Sequence, residues 1–179
     1  MNTTQVGWQY SGQAETGQPW QTDGSVFGIA SNQAYAVSPT GQGNYARLDS
    51  SLSADGSVAI TLRNSSFDGQ AGFFARTSSD WYTYMAWVGT DSSGNVQVWE
   101  LVNGTWSEIA TGTISSPSYP LTLKATFSGT GLTVRANGFL VALSPSVTLN
   151  STSSTSGRVG IYVDTTGTTP PKIDDFTFN

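Results

Sequence analysis

Two Asn-Gly dipeptides constrain this chain more than any other feature. Asn103-Gly104 lies between Val98-Trp99-Glu100-Leu101-Val102 and Thr105-Trp106-Ser107-Glu108-Ile109. Asn137-Gly138 lies between Leu132-Thr133-Val134-Arg135-Ala136 and the run 139–143. A two-residue hairpin link needs φ > 0 at both positions, so each dipeptide predicts a type I′ turn between antiparallel strands. Similar runs recur along the chain at 56–63, 72–76, 81–88, 95–102, 121–127, 158–163 and 173–178. Val58, Ile60 and Leu62 alternate with Ser57, Ala59 and Thr61, the period-two pattern of a strand with one buried face. Turn residues separate the runs at Ser78-Ser79-Asp80, Asp91-Ser92-Ser93-Gly94 and Gly129-Thr130-Gly131. The first fifty residues are less regular, with short strands predicted at 25–30 and 33–37, and loops are expected at 151–156 and 165–171. No stretch has helical amphipathicity.

About a dozen short antiparallel strands exceed what one open sheet accommodates, so they are expected to pack as two sheets face to face. The predicted fold is all-β, a two-sheet antiparallel jelly-roll β-sandwich forming a single domain over residues 1–179. Hydrophobic residues at 37% and aromatics at 12% are enough to build its core.

Composition excludes several chemistries. With no His and no Cys, Ser-His-Asp and Cys-His machinery, thiolate metal sites and disulfides are all ruled out. Only oxygen-ligated cations such as calcium remain. A net charge of −5 and two lysines, Lys124 and Lys172, argue against a nucleic-acid partner. The opening Met1-Asn2-Thr3-Thr4-Gln5 has neither a basic nor an apolar leader region, so no signal peptide is expected. No apolar run is long enough to span a membrane.

The segments Gly12-Gln13-Ala14-Glu15-Thr16-Gly17-Gln18-Pro19-Trp20 and Gly28-Ile29-Ala30-Ser31-Asn32-Gln33-Ala34-Tyr35 resemble the opening of a concanavalin A-like lectin/glucanase (laminin G-like) domain, in the version found in bacteriophage virion proteins. Gly72-Phe73-Phe74-Ala75-Arg76, the Asn103-Gly104 hairpin, Gly157-Arg158-Val159-Gly160-Ile161-Tyr162 and Ile173-Asp174-Asp175-Phe176 resemble later strands of the same family. The resemblance implies the concanavalin A-like sandwich. Its members include glucanases, lectins, adhesion modules and virion parts, and fold alone does not choose among them.

A glycosidase on this scaffold needs two carboxylates across a cleft. The glutamates are Glu15, Glu100 and Glu108, and a two-residue turn at Asn103-Gly104 sets Glu100 opposite Ser107 and Glu108 opposite Trp99. Glu100 and Glu108 then point to opposite sheet faces. Asp174 and Asp175 are the candidate calcium ligands, with Asp164 as a helper; the alternative is that adjacent acids split between the two faces. Trp81, Thr83, Met85 and Trp87 are expected on one face of their strand, and Tyr82, Tyr84, Ala86 and Val88 on the other. Trp81, Tyr82, Tyr84, Trp87, Trp99 and Trp106 are the candidate carbohydrate or partner contacts, and packing alone is the competing explanation. Arg76 and Arg135 are expected as solvated or paired surface charges.

The leading functional expectation is a non-catalytic bacteriophage virion structural protein. It would be a capsid decoration, head-fibre or tail-associated β-sandwich, surface-exposed on the virion and in contact with phage capsid or tail proteins and with its own copies. Cell-surface glycans would be further partners. The alternative is a stand-alone carbohydrate-binding, lectin-like module, and a glycoside hydrolase is third.

Overall fold

The computed structural model describes residues 4–6, 20–22, 27–30, 33–36, 43–48, 52–150, 156–164 and 167–179. Most of the opening motif and of the loop expected at 151–156 lies outside them, as do residues 165 and 166 of the other expected loop. The first strands are β1 (Thr4–Val6), β2 (Trp20–Thr22), β3 (Phe27–Ala30), β4 (Gln33–Ala36), β5 (Asn44–Leu48) and β6 (Leu52–Ser53). The middle ones are β7 (Gly56–Leu62), β8 (Gln70–Thr77), β9 (Tyr84–Thr90), β10 (Asn95–Val102), β11 (Thr105–Thr113) and β12 (Leu121–Ser128). The chain closes with β13 (Gly131–Ala136), β14 (Phe139–Leu140), β15 (Leu143–Ser144), β16 (Ser156–Asp164) and β17 (Ile173–Phe178). Among the described residues there is no helix.

The strands form two antiparallel sheets, as expected. One has the order β1-β3-β4-β17-β7-β12-β13-β14, and the other β15-β11-β10-β9-β8-β16-β5-β2, with β6 also pairing with β16. A single core fills the space between them. From the first sheet come Val58, Ile60, Leu62, Leu121, Leu123, Ala125 and Phe127, and from the second Ala46, Leu48, Phe73, Ala86, Val88, Val96, Val98 and Ile161. Both Asn-Gly links take the expected conformation, with φ of 48° and 80° at Asn103-Gly104 and 48° and 86° at Asn137-Gly138. Val102 pairs with Thr105 and Ala136 with Phe139, so neither link contains a third residue.

Three expectations fail for local reasons. The strand expected from Trp81 starts at Tyr84, because Asp80 organises 78–83 as a turn. Its carboxylate accepts from the Ser78 and Thr83 hydroxyls and from the Tyr82 and Thr83 N–H groups, and Trp81 takes φ 65°. The run 139–143 is two strands. β14 pairs with β13 in one sheet and β15 with β11 in the other, so the chain changes sheet at Val141-Ala142. Arg76 is buried, not at the surface: it sits at a register shift between β8 and β16 with φ 57°. Burying a guanidinium requires partners, and Arg76 Nε donates to the Ala54 carbonyl at 2.8 Å while NH2 meets Asp55 at 2.9 Å. Arg135 is exposed, as expected, and donates to the Gly138 carbonyl.

The two sheets differ on their outer faces. Along β12 the inward Leu121, Leu123, Ala125 and Phe127 alternate with outward Thr122, Lys124 and Thr126, the pattern of a sheet wet on one side. Every residue of β9 is buried, so the second sheet is covered on both sides at its centre, while β11 towards its edge is largely exposed.

Candidate functional site

That second cover is aromatic, and strand register places it. In β8 to β10, Phe73, Ala86, Val88 and Val98 point into the sandwich, so Phe74, Met85, Trp87, Trp99 and Leu101 point out. Phe74, Met85, Trp87 and Leu101 form a buried layer against which Tyr45, Trp81, Trp99 and Tyr162 pack, half-buried. Reading across neighbouring strands, one row runs Arg47, Gly160, Phe74, Trp87, Trp99, Glu108. The adjacent row runs Tyr45, Tyr162, Gly72, Gly89, Gln97, Thr111, Ser144.

The rings meet mostly edge to face, the geometry that the aromatic quadrupole favours. Trp87 and Tyr162 centroids are 5.0 Å apart at 75°, and Phe74 and Trp81 are 5.8 Å apart at 60°. Tyr45 lies 4.9 Å from Tyr162 and 6.2 Å from Trp81. Glycine makes the layer possible at two positions. A Cβ on Gly89 would occupy the space of the Trp87 indole, and one on Gly160 would collide with the Phe74 ring and the Ala46 carbonyl.

Arg47 fastens one end of the layer. Its guanidinium stacks 4.0 Å over Trp81, donates to Gln21 Oε1 through Nε and NH2, and reaches the Ser78 and Ser79 carbonyls through NH1. At the other end Gln97 Oε1 accepts from Gln70 Nε2 and from Trp99 Nε1, tying the Trp99 ring to the glutamine row. Among the described residues two buried polar atoms here have no partner, Trp87 Nε1 and Asp164 Oδ1. Burial pushes the Asp164 carboxyl above the usual carboxylate range, and burial, with Tyr45 and Asp164 nearby, pushes the Tyr162 hydroxyl above its own.

Of the six aromatic candidates, the fold brings Trp81, Trp87 and Trp99 together in this layer. Trp106 also points outward, across from Leu101 and diagonal to Trp99, and is 39% exposed. Tyr82 is exposed beside the Asn103-Gly104 turn. Tyr84 does not belong to the site. It faces the core, where its hydroxyl donates to Glu100 Oε1 at 2.6 Å, and Glu100 also accepts the Asn150 N–H at 2.8 Å. The turn at 78–83 begins the strand at Tyr84, and alternation from there sends Met85 and Trp87 outward and Tyr84 inward. Sequence reading missed Tyr45, Arg47, Phe74 and Tyr162. Phe74 and Tyr162 stood in runs already read as strands, with inward partners Phe73 and Ile161 marking their opposite face. Nothing comparable marked β5.

Among the described residues the acids outside the Asp174-Asp175 pair are dispersed; Glu15 lies outside them. Glu100 and Glu108 lie on opposite faces, as the hairpin register predicted, Glu100 inside and Glu108 outside. On the outer face Glu108 lies on β11 and Asp164 on β16, four strand spacings or about 19 Å apart. A glycosidase pair is separated by at most about 9.5 Å. Asp174 is held by Arg63, which donates from Nε at 2.7 Å and NH2 at 2.6 Å, and it accepts the Asp175 N–H. Asp175 is exposed at a register irregularity with φ 46°. Among the described residues no three acids gather into a cation site.

No protein-family model matches the sequence, and no curated protein sequence does. Solved structures do resemble the fold. The carbohydrate binding module CBM66 from Bacillus subtilis superposes with TM-score 0.71 at 15% identity, over 89% of this chain and 94% of that one. The Ca2+/Man3GlcNAc-bound exoplasmic/lumenal domain of VIP36 gives 0.64 at 9% identity, over 98% and 87%. The Emp47p carbohydrate recognition domain gives 0.62 at 16%, over 89% and 87%. A glycosidic hydrolase also shares the fold, with TM-score 0.50. The chain is therefore an all-β jelly-roll sandwich of the kind used by galectin-like and concanavalin A-like lectin domains.

Proposed function

We propose that this chain is a non-catalytic carbohydrate-binding module whose ligand lies on the outer face of the β15-to-β2 sheet. The observation that carries this reading is the asymmetry between the sheets. Across β7, β12 and β13 one outer face is mostly Thr, Ser, Lys and Arg, while the other holds aromatic rings in a second layer beyond the core. Half-exposed Trp99, Trp81, Tyr45 and Tyr162 offer flat apolar surface beside amides and hydroxyls, the mixture that sugar rings with polar edges require. The carbohydrate-binding neighbours support this reading over a purely structural coat role, so it takes precedence over the virion expectation. The dispersed carboxylates support binding without hydrolysis.

A polysaccharide and glycan panel tests it. Binding to at least one saccharide, lost in Trp99→Ala with the melting temperature maintained, is the expected result. Absence of binding across the panel refutes it, and release of reducing sugar refutes the non-catalytic part.

A further inference from the structure

The aromatic layer ends at Gln97, but the outer face does not. Beyond it, on β10, β11 and β15, lies a depression of about 520 Å3 whose polar lining is Asn95, Gln97, Thr111, Thr113 and Ser144. Gln97, Thr111 and Ser144 continue the row that starts with Tyr45 and Tyr162. From Tyr162 on β16 to Ser144 on β15 the row crosses five strand spacings, about 24 Å. A single sugar ring cannot touch both ends.

The notch also has a defined chemistry. Its side chains are amides and hydroxyls, which donate and accept without charge. The charged groups beside it are both acidic: Asp91, which accepts from Asn95 Nδ2 at 2.7 Å, and Glu108 along β11, exposed and set against Trp99; the chain as a whole carries −5. Two arginines belong to this face, both away from the notch: Arg47, buried, spends its guanidinium on Trp81, Gln21 and two carbonyls, and Arg158 lies on β16, half-buried and two residues before Gly160. An acidic polysaccharide would meet carboxylates beside the notch, whose lining holds no cation to offset them.

Resting on the sugar-binding reading of this face, we propose that the ligand is a neutral polysaccharide chain laid across the strands. Some of its units stack on the aromatic layer while others hydrogen-bond in the Gln97–Thr111–Ser144 notch. The site therefore reads several consecutive units. Stacking supplies affinity at one end, and the notch supplies hydroxyl recognition at the other.

The test has two stages. Affinity electrophoresis against neutral β-glucan, xylan, galactan and fructan, with pectate and alginate as acidic probes, identifies the bound polymer. Calorimetry then follows oligosaccharides of one to six units cut from it, using wild type, Trp99→Ala and the double variant Thr111→Ala/Ser144→Ala. Affinity is expected to rise with length. The double variant is expected to lose about five- to tenfold for the longer oligosaccharides and nothing for the shortest ones that bind. Thr111 and Ser144 are exposed, so their truncation leaves the fold intact, which melting curves verify. Affinity independent of length, equal losses at every length, or preference for pectate or alginate overturns the proposal while leaving sugar binding standing. Binding to none of the polymers overturns both.

Discussion

Replacing Tyr84 with Phe separates the two faces of the second sheet more sharply than any other change. Tyr84 and Met85 are neighbours in β9, yet register puts one inside the sandwich and the other under the aromatic layer. Burial and the Glu100 carboxylate push the Tyr84 hydroxyl far above the usual tyrosine range, so it stays protonated and donates. Its 2.6 Å bond ends on a buried carboxylate that, among the described residues, also accepts the Asn150 N–H. Tyr84→Phe keeps the ring and removes the donor, leaving Glu100 under-satisfied. A hydrogen bond to a charged group contributes about 1.5–3 kcal/mol. For a chain of this size that is a fall of about 3–12 °C in Tm. Scanning calorimetry of wild type and Y84F checks the stability, and titration with the bound saccharide checks the site. The expected outcome is a lower Tm with unchanged affinity. Lost affinity at unchanged Tm would mean that Tyr84 reaches the ligand and that the assignment of faces is wrong.

Other perturbations probe the same layout. Trp99→Ala should weaken saccharide binding by about 30-fold or more, the usual scale for removing a tryptophan anchor, read by calorimetry with Tm as the control. Gly160→Ala drives a methyl group into the Phe74 ring and the Ala46 carbonyl and should lower stability by about 1–3 kcal/mol in denaturant melts. Bonds from the Ser78 and Thr83 hydroxyls and from the Thr83 and Tyr82 N–H groups hold Asp80 well below the usual carboxylate range. Because the folded-state pKa is depressed, its stabilisation is present above the ordinary value of 3.8 and lost as pH falls through the lower folded value. The Tm difference between wild type and Asp80→Asn should be constant down to that ordinary value and shrink below it. Asp164 has the opposite sign, its pKa being raised by burial, so its share of stability is present below 3.8 and lost as pH rises through the folded value. Asp164→Asn should raise Tm at neutral pH and lose that gain in acid.

The sandwich was legible because period-two runs and Asn-Gly links are local signals, and local geometry decides both. The hairpin register at Glu100 and Glu108 followed from the same logic. The site was only half legible. Trp81, Trp87 and Trp99 stand out by residue type, but β5 is a five-residue strand in an irregular stretch, and Tyr45 and Arg47 join the layer only through pairing with β16, more than a hundred residues later. Tyr84 stood among the candidates because alternation grouped it with Ala86 and Val88, as the structure does, without saying which face of the strand is core. Arg76 was misplaced because a bulge breaks the alternation that would have kept it outside.

The Asp80 turn bears on the binding role proposed for the aromatic layer. A flexible tryptophan on a surface loop has to be ordered by its ligand, at about 0.5–1.5 kcal/mol for each side chain immobilised. Trp81 is ordered beforehand from three directions. The Asp80 carboxylate fixes the backbone that follows it, the Arg47 guanidinium covers one ring face at 4.0 Å, and the Phe74 and Tyr45 rings meet it at 5.8 and 6.2 Å. Arg47 is itself fixed by Gln21 and by the Ser78 and Ser79 carbonyls, which belong to the turn that Asp80 organises. The constraint is thus closed: the turn places the ring, the ring stacks on the guanidinium, and the guanidinium holds the turn. A core residue needs no such arrangement, because burial on all sides already confines it. Confinement of a half-exposed ring by charge and hydrogen bonds serves a surface whose shape must exist before its ligand arrives.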